Sequence, residues 1–552
     1  MPTMSLENVI KPNATVSELD NSLQETLPYD SIRLACKQRP TLCHLRSKLN
    51  CTDKRKGPSD TLHKLFNELR LFSNIIVLGS YHQQSNQPLS KALLFQALRT
   101  VITRHPSLSS ILVSQASTQQ DGTHQAWKAK LKSIDLEKCV SFIDDYDDSD
   151  SGIRELLQKA HNTWFDTEDK TVPLWNVIVV NKVHVLFVFH HSVADGVGGT
   201  AFHKSLLAAL NSISKNRENS SSSAAALPDT ELPEDNITIF EAQNRKASIF
   251  RIIISCIHLL ILRILLPKKY WVFNDARYSM KVPPLTSLNK SEDRTTTKVQ
   301  NLRLDSSILS KCLAACKNNN TTFTSLLATL IDVTLATDIY PSSKFRILAT
   351  QVDCRRYAKQ GDNLRNLAST ITQSCFVREH RKAGIAPLSI NSGSEMSPLL
   401  ETKVMDCHRF WNIARRYSSW LKEGLSEANG KTPIPVQDFM VMSSFQKEEE
   451  AFAKQILPSI GLTTERAYSL SNLGVFDGQM EEEGPWRIGN LEFSVAATKP
   501  CVGYMLYFGV ITLKGGDCVL HATYNKGVLE DEMVFLLLER MEQRLSYLLE
   551  SS

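Results

Sequence analysis

Val183-His-Val-Leu-Phe-Val-Phe-His-His-Ser-Val-Ala-Asp-Gly196 is the stretch on which the fold and the chemistry of this chain turn. Its apolar run ends in His190 and His191, and Asp195-Gly196 follows, with more glycine at 198 and 199. A continuous apolar run bounded by such breakers predicts a buried strand. The two histidines then fall where a buried strand meets solvent. An imidazole at the mouth of a core, with a carboxylate four positions on, suits a general base. Either histidine alone reads better as a strand-end residue satisfied by backbone carbonyls. It is the whole string HHxxxDG, set between a strand and a helix, that favours chemistry.

Working outward, residues 177–180 form another apolar run, separated from 183–189 by Asn181-Lys182, and the spacing predicts a tight hairpin. Residues 199–211 carry helical spacing. Before them, 74–80 reads as a strand and 90–104 as a helix with Ser90 as N-cap, stopped by His105-Pro106. Short strands are expected at 111–113 and 127–131. In the second half, strands are expected at 299–304, 345–352, 491–495, 504–513 and 518–524. Helices are expected at 305–317, 322–337 and 530–549, with Thr322 to Thr324 supplying a cap, and 384–398 reads as loop. Mixed strands and helices in both halves, without an internal repeat, make an α/β protein of two lobes.

At 552 residues the chain exceeds one compact core. Four divisions are expected: an N-terminal extension, partly disordered, over 1–57; a first lobe over 58–211; a Ser-rich insertion with an apolar crossover segment over 212–290; and a second lobe over 291–552. With 42% hydrophobic and 22% charged residues, the composition is that of a globular protein, and a net charge of +5 is too weak to argue for nucleic acid. The N-terminus lacks the pattern of a secretory signal, so the twelve cysteines read as cytosolic thiols. Cys312 and Cys316, four apart, are expected to share a helix face and pack. Cys36, Cys43, His44 and Cys51 have spacings unlike a zinc knuckle, and no metal site is expected. The most apolar stretch, 249–266, is interrupted by Arg251, His258 and Arg263, against a bilayer span. It reads as a buried connector or as an in-plane amphipathic helix touching a membrane surface.

Two rival motifs are weak. Gly196-x-Gly198-x-x-Ala201 opens a helix as a dinucleotide fingerprint does, but no strand with a terminal acid follows about 20 residues on. No G-x-S-x-G elbow is present for a serine hydrolase.

His190-His191-Ser-Val-Ala-Asp195-Gly196 resembles the HHxxxDG motif of the CoA-dependent acyltransferase superfamily, which includes chloramphenicol acetyltransferase, condensation domains, plant BAHD enzymes and fungal alcohol acetyltransferases. The segment from Ala97 to Leu108, with His105-Pro106, is similar to that family's first-helix signature. Pro173-Leu174-Trp175, Val352-Asp-Cys-Arg355 and Ser471-Asn472-Leu473-Gly474-Val475-Phe476 match further elements in order, the last typical of the fungal alcohol acetyltransferase branch. The resemblance covers about residues 60 to 548. The chain departs from it in lacking a DFGWG box.

The resemblance implies two chloramphenicol-acetyltransferase-like lobes with a central tunnel between them. It implies transfer of an acyl group, acetyl above all, from acyl-CoA as co-substrate to a small or lipophilic alcohol, with no permanently bound cofactor. His191 is then the general base. Asp195 is either its partner or, as the family suggests, a strut to Arg355. His190 and Gly196 are structural, and Ser471 and Asn472 are candidates for the oxyanion or the tunnel wall. Alternatives are a condensation-type or N-acyltransferase fed by a carrier-protein thioester, and a non-catalytic binding protein. A monomer is expected, cytoplasmic or peripheral to endoplasmic reticulum or lipid-droplet membrane.

Overall fold

The computed structural model describes residues 67, 71–116, 124–131, 133–217, 257, 264–273, 295–353, 355, 364, 366–385, 404–425, 466–479, 484–498 and 503–551. The extension over 1–57, with Cys36, Cys43, His44 and Cys51, lies outside them, as does most of 249–266. Of that apolar segment, the side chains of Ile257, Ile264 and Leu265 are exposed. Among the described residues no single helix is long and apolar enough to cross a membrane.

The hairpin at the centre of the first lobe consists of β5 (Trp175–Val180) and β6 (His184–Phe189). Asn181 and Lys182 both take positive φ, 51° and 58°, as the two-residue turn that matches strand twist requires. β6 is buried along Val185–Phe189, which explains its unbroken apolar sequence. It pairs antiparallel with β1 (Ile75–Gln83), and β4 (Val140–Ile143) lies parallel to β5. α1 (Lys91–Arg104) starts at Ser90, whose side chain accepts from the Leu93 N–H. Strands β2 (Ser110–Ala116) and β3 (His124–Lys130) form a separate ribbon. α2 (Asp150–His161), which the sequence reading passed over, packs near the lobe boundary.

α3 runs over Gly196–Arg217, so it starts at the glycine of the motif and continues into what the sequence suggested was insertion. Its His203 joins it to β1: Nε2 donates to the Val77 carbonyl (3.0 Å), and Nδ1 accepts from the Tyr81 hydroxyl (2.9 Å). Burial pushes this imidazole down to about 4, so it stays neutral.

The second lobe is built on a six-stranded sheet. Its strands are β7 (Thr297–Leu304), β8 (Phe345–Asp353), β9 (Ala368–Phe376), β10 (Arg466–Phe476), β12 (Leu506–Leu513) and β13 (Cys518–Asn525), in the order β7-β13-β12-β10-β8-β9. Against it pack α4 (Ser306–Asn318), α5 (Phe323–Thr334), α6 (Cys407–Leu425) and α7 (Asp531–Glu550). Asp305 and Thr322 cap α4 and α5. Cys312 and Cys316 lie buried on one face of α4, and burial lifts both thiols to about 12. The segment 471–476 is the C-terminal half of strand β10.

The largest difference from the expected division is β11 (Trp486–Val495). Although it lies within 291–552, it joins the first sheet, whose order is β11-β1-β6-β5-β4. It runs antiparallel to β1 from Ile75↔Val495 to Gln83↔Trp486. Trp486, Ile488, Leu491 and Phe493 enter the first core, along with Leu364. Asn211 of α3 holds its start, accepting from the Trp486 N–H (2.8 Å) and donating to the Trp486 carbonyl (3.1 Å). A strand given by one lobe to the other makes their boundary a shared core.

Glu492 of β11 is buried at this seam. It accepts from His521 of β13 (2.9 Å), Arg303 of β7 (2.8 Å) and Asn490 (3.0 Å). Burial alone would raise the carboxyl, but these donors, His521 first, hold it at about 2. A depressed carboxylate contributes stability above its ordinary value of 4.5 and loses it as pH falls toward 2. Glu492→Gln is therefore expected to cost about 3 kcal/mol at pH 7 by removing the buried anion that the Arg303 guanidinium faces. The gap between variant and wild-type thermal midpoints is expected to shrink as pH drops below 4.5, measured by circular dichroism.

Candidate active site

Two of the segments singled out in the sequence converge beneath the site. The Trp175 indole N–H donates to the Leu108 carbonyl (2.7 Å), joining the Pro173-Leu-Trp element to the segment after His105. His105 in turn bonds Ser205 of α3 through Nε2 (2.7 Å). His190, at the end of β6, donates its backbone N–H to Leu174 (2.9 Å). Its Nδ1 accepts from the Ser192 N–H (3.1 Å) and meets the Ser192 hydroxyl at 2.7 Å. Buried and bonded within its own turn, His190 orders the bend after the strand.

His191 is half-buried, its ring 5.9 Å from that of Phe72. Burial lowers its pKa from the usual 6.5; backbone groups of His191 itself and of Ala194, and the charge of Asp195, offset part of that. The ring is thus neutral at pH 7, the state a base needs.

Asp195 is buried and faces away from that task. Its Oδ1 accepts from the Gly198 N–H (2.7 Å) and Arg355 Nη2 (2.8 Å); its Oδ2 accepts from the Leu367 N–H (2.7 Å) and Arg355 Nη1 (3.1 Å). A carboxylate has about four lone-pair sites, and four donors fill them. Through Gly198 it caps α3, satisfying an N–H that the helix leaves orphaned. Through Arg355 and Leu367 it binds the second lobe. Burial alone would lower the Arg355 pKa, and the Asp195 charge overrides this and raises it. Arg355 also reaches Asp353 (2.8 Å).

The glycines of the motif are set by close approach. A Cβ on Gly196 would lie 2.8 Å from Leu473 of β10 and from Phe493 of β11. One on Gly198 would lie 2.1 Å from the Leu364 carbonyl oxygen. The first turn of α3 is therefore pressed directly against chain from the second half, and side chains there would force the lobes apart.

Ser471 and Asn472 sit on opposite faces of β10, as neighbours on a strand must. Asn472 turns to α5, donating to Thr324 Oγ1 (3.0 Å) and accepting from the Gly474 N–H (2.9 Å), so its amide braces the bend at Gly474. Ser471 shares a face with Leu473, the residue that meets Gly196. Sequence reasoning missed Asn366, two residues before β9. Its Nδ2 lies 3.0 Å from the His191 carbonyl and 3.1 Å from His191 Nδ1. No spacing pattern in the sequence marks it, because its partner is 175 positions away. Among the described residues no group of three or more His, Cys, Asp or Glu could hold a metal ion.

Residues 57–542 match the alcohol acetyltransferase family. Over 499 residues the chain is 22% identical to a protein of Aspergillus fumigatus named "Probable alcohol acetyltransferase crmB", covering 86% of this chain and 96% of that one. It is 32% identical over 170 residues to an uncharacterised protein of Schizosaccharomyces pombe, covering 31% and 34%. Its fold is similar to that of the trichothecene 15-O-acetyltransferase of Fusarium sporotrichioides, with a TM-score of 0.58 at 12% identity, covering 89% of this chain and 94% of that one. With two lobes sharing one strand and the HHxxxDG segment at their junction, the chain belongs to the alcohol acetyltransferase family and is an acyltransferase.

Proposed function

We propose that this acyltransferase moves an acetyl group from acetyl-CoA to the hydroxyl of a small or lipophilic alcohol, with His191 as general base. The observation that carries this reading is the division of labour in the motif. Asp195 has all four acceptor sites occupied by structural donors, whereas His191 is half-buried, held neutral, and next to the lobe junction.

In this mechanism Nε2 of His191 takes the proton from the acceptor hydroxyl as its oxygen attacks the thioester carbonyl carbon. The carbonyl π-bond opens to an oxyanion, which needs a donor; the Ser471 hydroxyl, on the face of β10 that meets Gly196, suits that role. The oxyanion then re-forms the carbonyl and the C–S bond breaks. The departing thiolate takes the proton from the imidazolium, which returns His191 to its starting state. Asp195 and Arg355 act on the reaction by holding α3, and with it the loop of His191, against the second lobe.

His191→Ala is expected to abolish transfer while its thermal midpoint stays near that of the wild type, with thiol release from acetyl-CoA measured over an alcohol panel. Unchanged turnover would sink the mechanism, and release only from a carrier-bound thioester would move the reading to a condensation catalyst. Because burial depresses the His191 pKa, kcat/KM should be flat at neutral pH and fall only as pH drops through a value below 6.5. An acid limb centred above 6.5 contradicts this. Asp195→Asn removes the anion facing Arg355 and leaves two donors, one backbone N–H and one Arg355 N–H, facing an amide NH2. We expect a loss of about 3 kcal/mol in stability together with a fall in rate. Lost rate at unchanged stability would make Asp195 a partner of His191 in the chemistry.

A further inference from the structure

The second-lobe sheet turns one face to its own helices and the other to the first lobe, and strand alternation assigns each side chain to a face. On β8 the Thr350 hydroxyl bonds Tyr417 of α6, so Gln351 projects from the opposite face. On β10 Leu470 lies in the second core and Asn472 bonds Thr324 of α5, so Ser469 and Ser471 share the face of Gln351. That face meets the first lobe. A Cβ on Gly509 of β12, which pairs with Ser471, would lie 2.7 Å from the Phe493 carbonyl oxygen of β11.

Gln351 is half-buried, and its amide is held at both ends. The Thr370 hydroxyl of β9 donates to Oε1 (2.6 Å), and Nε2 donates to Ser469 Oγ (2.9 Å). Thr370 and Ser469 are themselves buried, 6% and 0% exposed, so neither clamp can swing away. A glutamine amide has two N–H donors and two carbonyl lone pairs. The clamps take one of each, and the remaining N–H and lone pair have no partner among the described residues. A partly open polar group held in one orientation has already lost the side-chain freedom that binding would otherwise cost.

The place of this amide follows from the strand register. Leu470 pairs with Thr350, so Ser471 and Gln351 come next side by side, on strands roughly 4.8 Å apart. Two residues past Ser471, Leu473 meets Gly196 of the motif; four past Gln351, Arg355 holds Asp195. We propose that Gln351 is a specificity-determining residue: its amide takes a second oxygen on the acceptor, so the preferred substrate is an alcohol with a further hydroxyl, ether or carbonyl oxygen, not a simple alkanol. This rests on the chain being an acetyl-CoA:alcohol acyltransferase. The remaining N–H donates to any of these oxygens, and the remaining lone pair accepts from a hydroxyl. Thr370, Ser469 and Ser471 are uncharged like the amide, which suits a neutral oxygen, whereas the phosphates of CoA call for cations.

The test uses the full chain with acetyl-CoA and matched acceptors, each linear alkanol beside the diol, hydroxy-ether and hydroxy-ketone of the same chain length. Wild-type kcat/KM is expected to be roughly tenfold higher for the oxygenated members, the effect of one hydrogen bond. Gln351→Leu should bring that ratio to within about twofold of one, with KM for acetyl-CoA within a factor of two or three of wild type. Gln351→Glu still accepts from both clamping hydroxyls but has no N–H, so it should lose the preference for hydroxy-ethers and hydroxy-ketones and keep that for diols. A wild type without preference overturns the proposal, and this readout stands even if a variant fails to fold. A preference retained by Gln351→Leu overturns it as well, and a raised KM for acetyl-CoA in that variant would then give the amide to the pantetheine arm. If no acceptor releases thiol from acetyl-CoA, the acyl-transfer reading fails. The Kd of each alkanol against its diol, measured by ligand-observed NMR without acyl donor, still decides the role of Gln351: tighter diol binding that Gln351→Leu abolishes supports it, and equal binding rejects it.

Discussion

Four donors meet on the carboxylate of Asp195, and the arrangement of the two lobes depends on that meeting. The Gly198 N–H comes from the helix that the aspartate caps; the Leu367 N–H and both terminal nitrogens of Arg355 come from the second half. A buried anion is tolerated when it is fully paired and hydrogen-bonded. Here the same pairing that makes the charge tolerable also joins α3 to the chain that follows β8 and precedes β9. Because α3 begins within the turn that carries His191, the position of the imidazole is referred directly to the second lobe.

Steric fit reinforces this ionic joint. Gly196 leaves room for Leu473 and Phe493, and Gly198 leaves room for the Leu364 carbonyl. Strand β11 extends the contact by pairing along the whole of β1 while its Glu492 reaches back to Arg303 and His521. The joint therefore combines strand pairing, apolar burial and two buried carboxylates, each satisfied from the opposite side. A chain so interleaved cannot slide one lobe over the other without exposing several of these groups at once. That is a reason for the proposed base, His191, to be placed here, where geometry is held from both sides.

Local patterns were legible in proportion to how far their causes lay along the chain. The β5–β6 hairpin, the Ser90, Asp305 and Thr322 caps, the Cys312/Cys316 face and the final helix all follow from neighbouring residues, and the structure holds them within a few positions of where the patterns put them. Helices α2 and α6 and strands β4, β9 and β10 escaped notice. In β10 the SNLG run has no clear alternation; it is extended because it continues β10 alongside β12, with Asn472 occupied by Thr324. The same holds for Asn366, an ordinary residue in sequence whose meaning arises only where β9 meets the motif.

The sequence by itself determined the buried strand that ends in His190 and His191, the sharp turn at Asp195-Gly196, and the helix that must follow, because these rest on hydrophobic run length, glycine and capping, all local in range. Membership of β11 in the first sheet, the direction in which Asp195 points, the splitting of Ser471 from Asn472 and the arrival of Asn366 at His191 were decided only in the tertiary structure. Each is a pairing between residues more than a hundred positions apart, where the choice among partners is made by burial and by satisfying charges that no local pattern records.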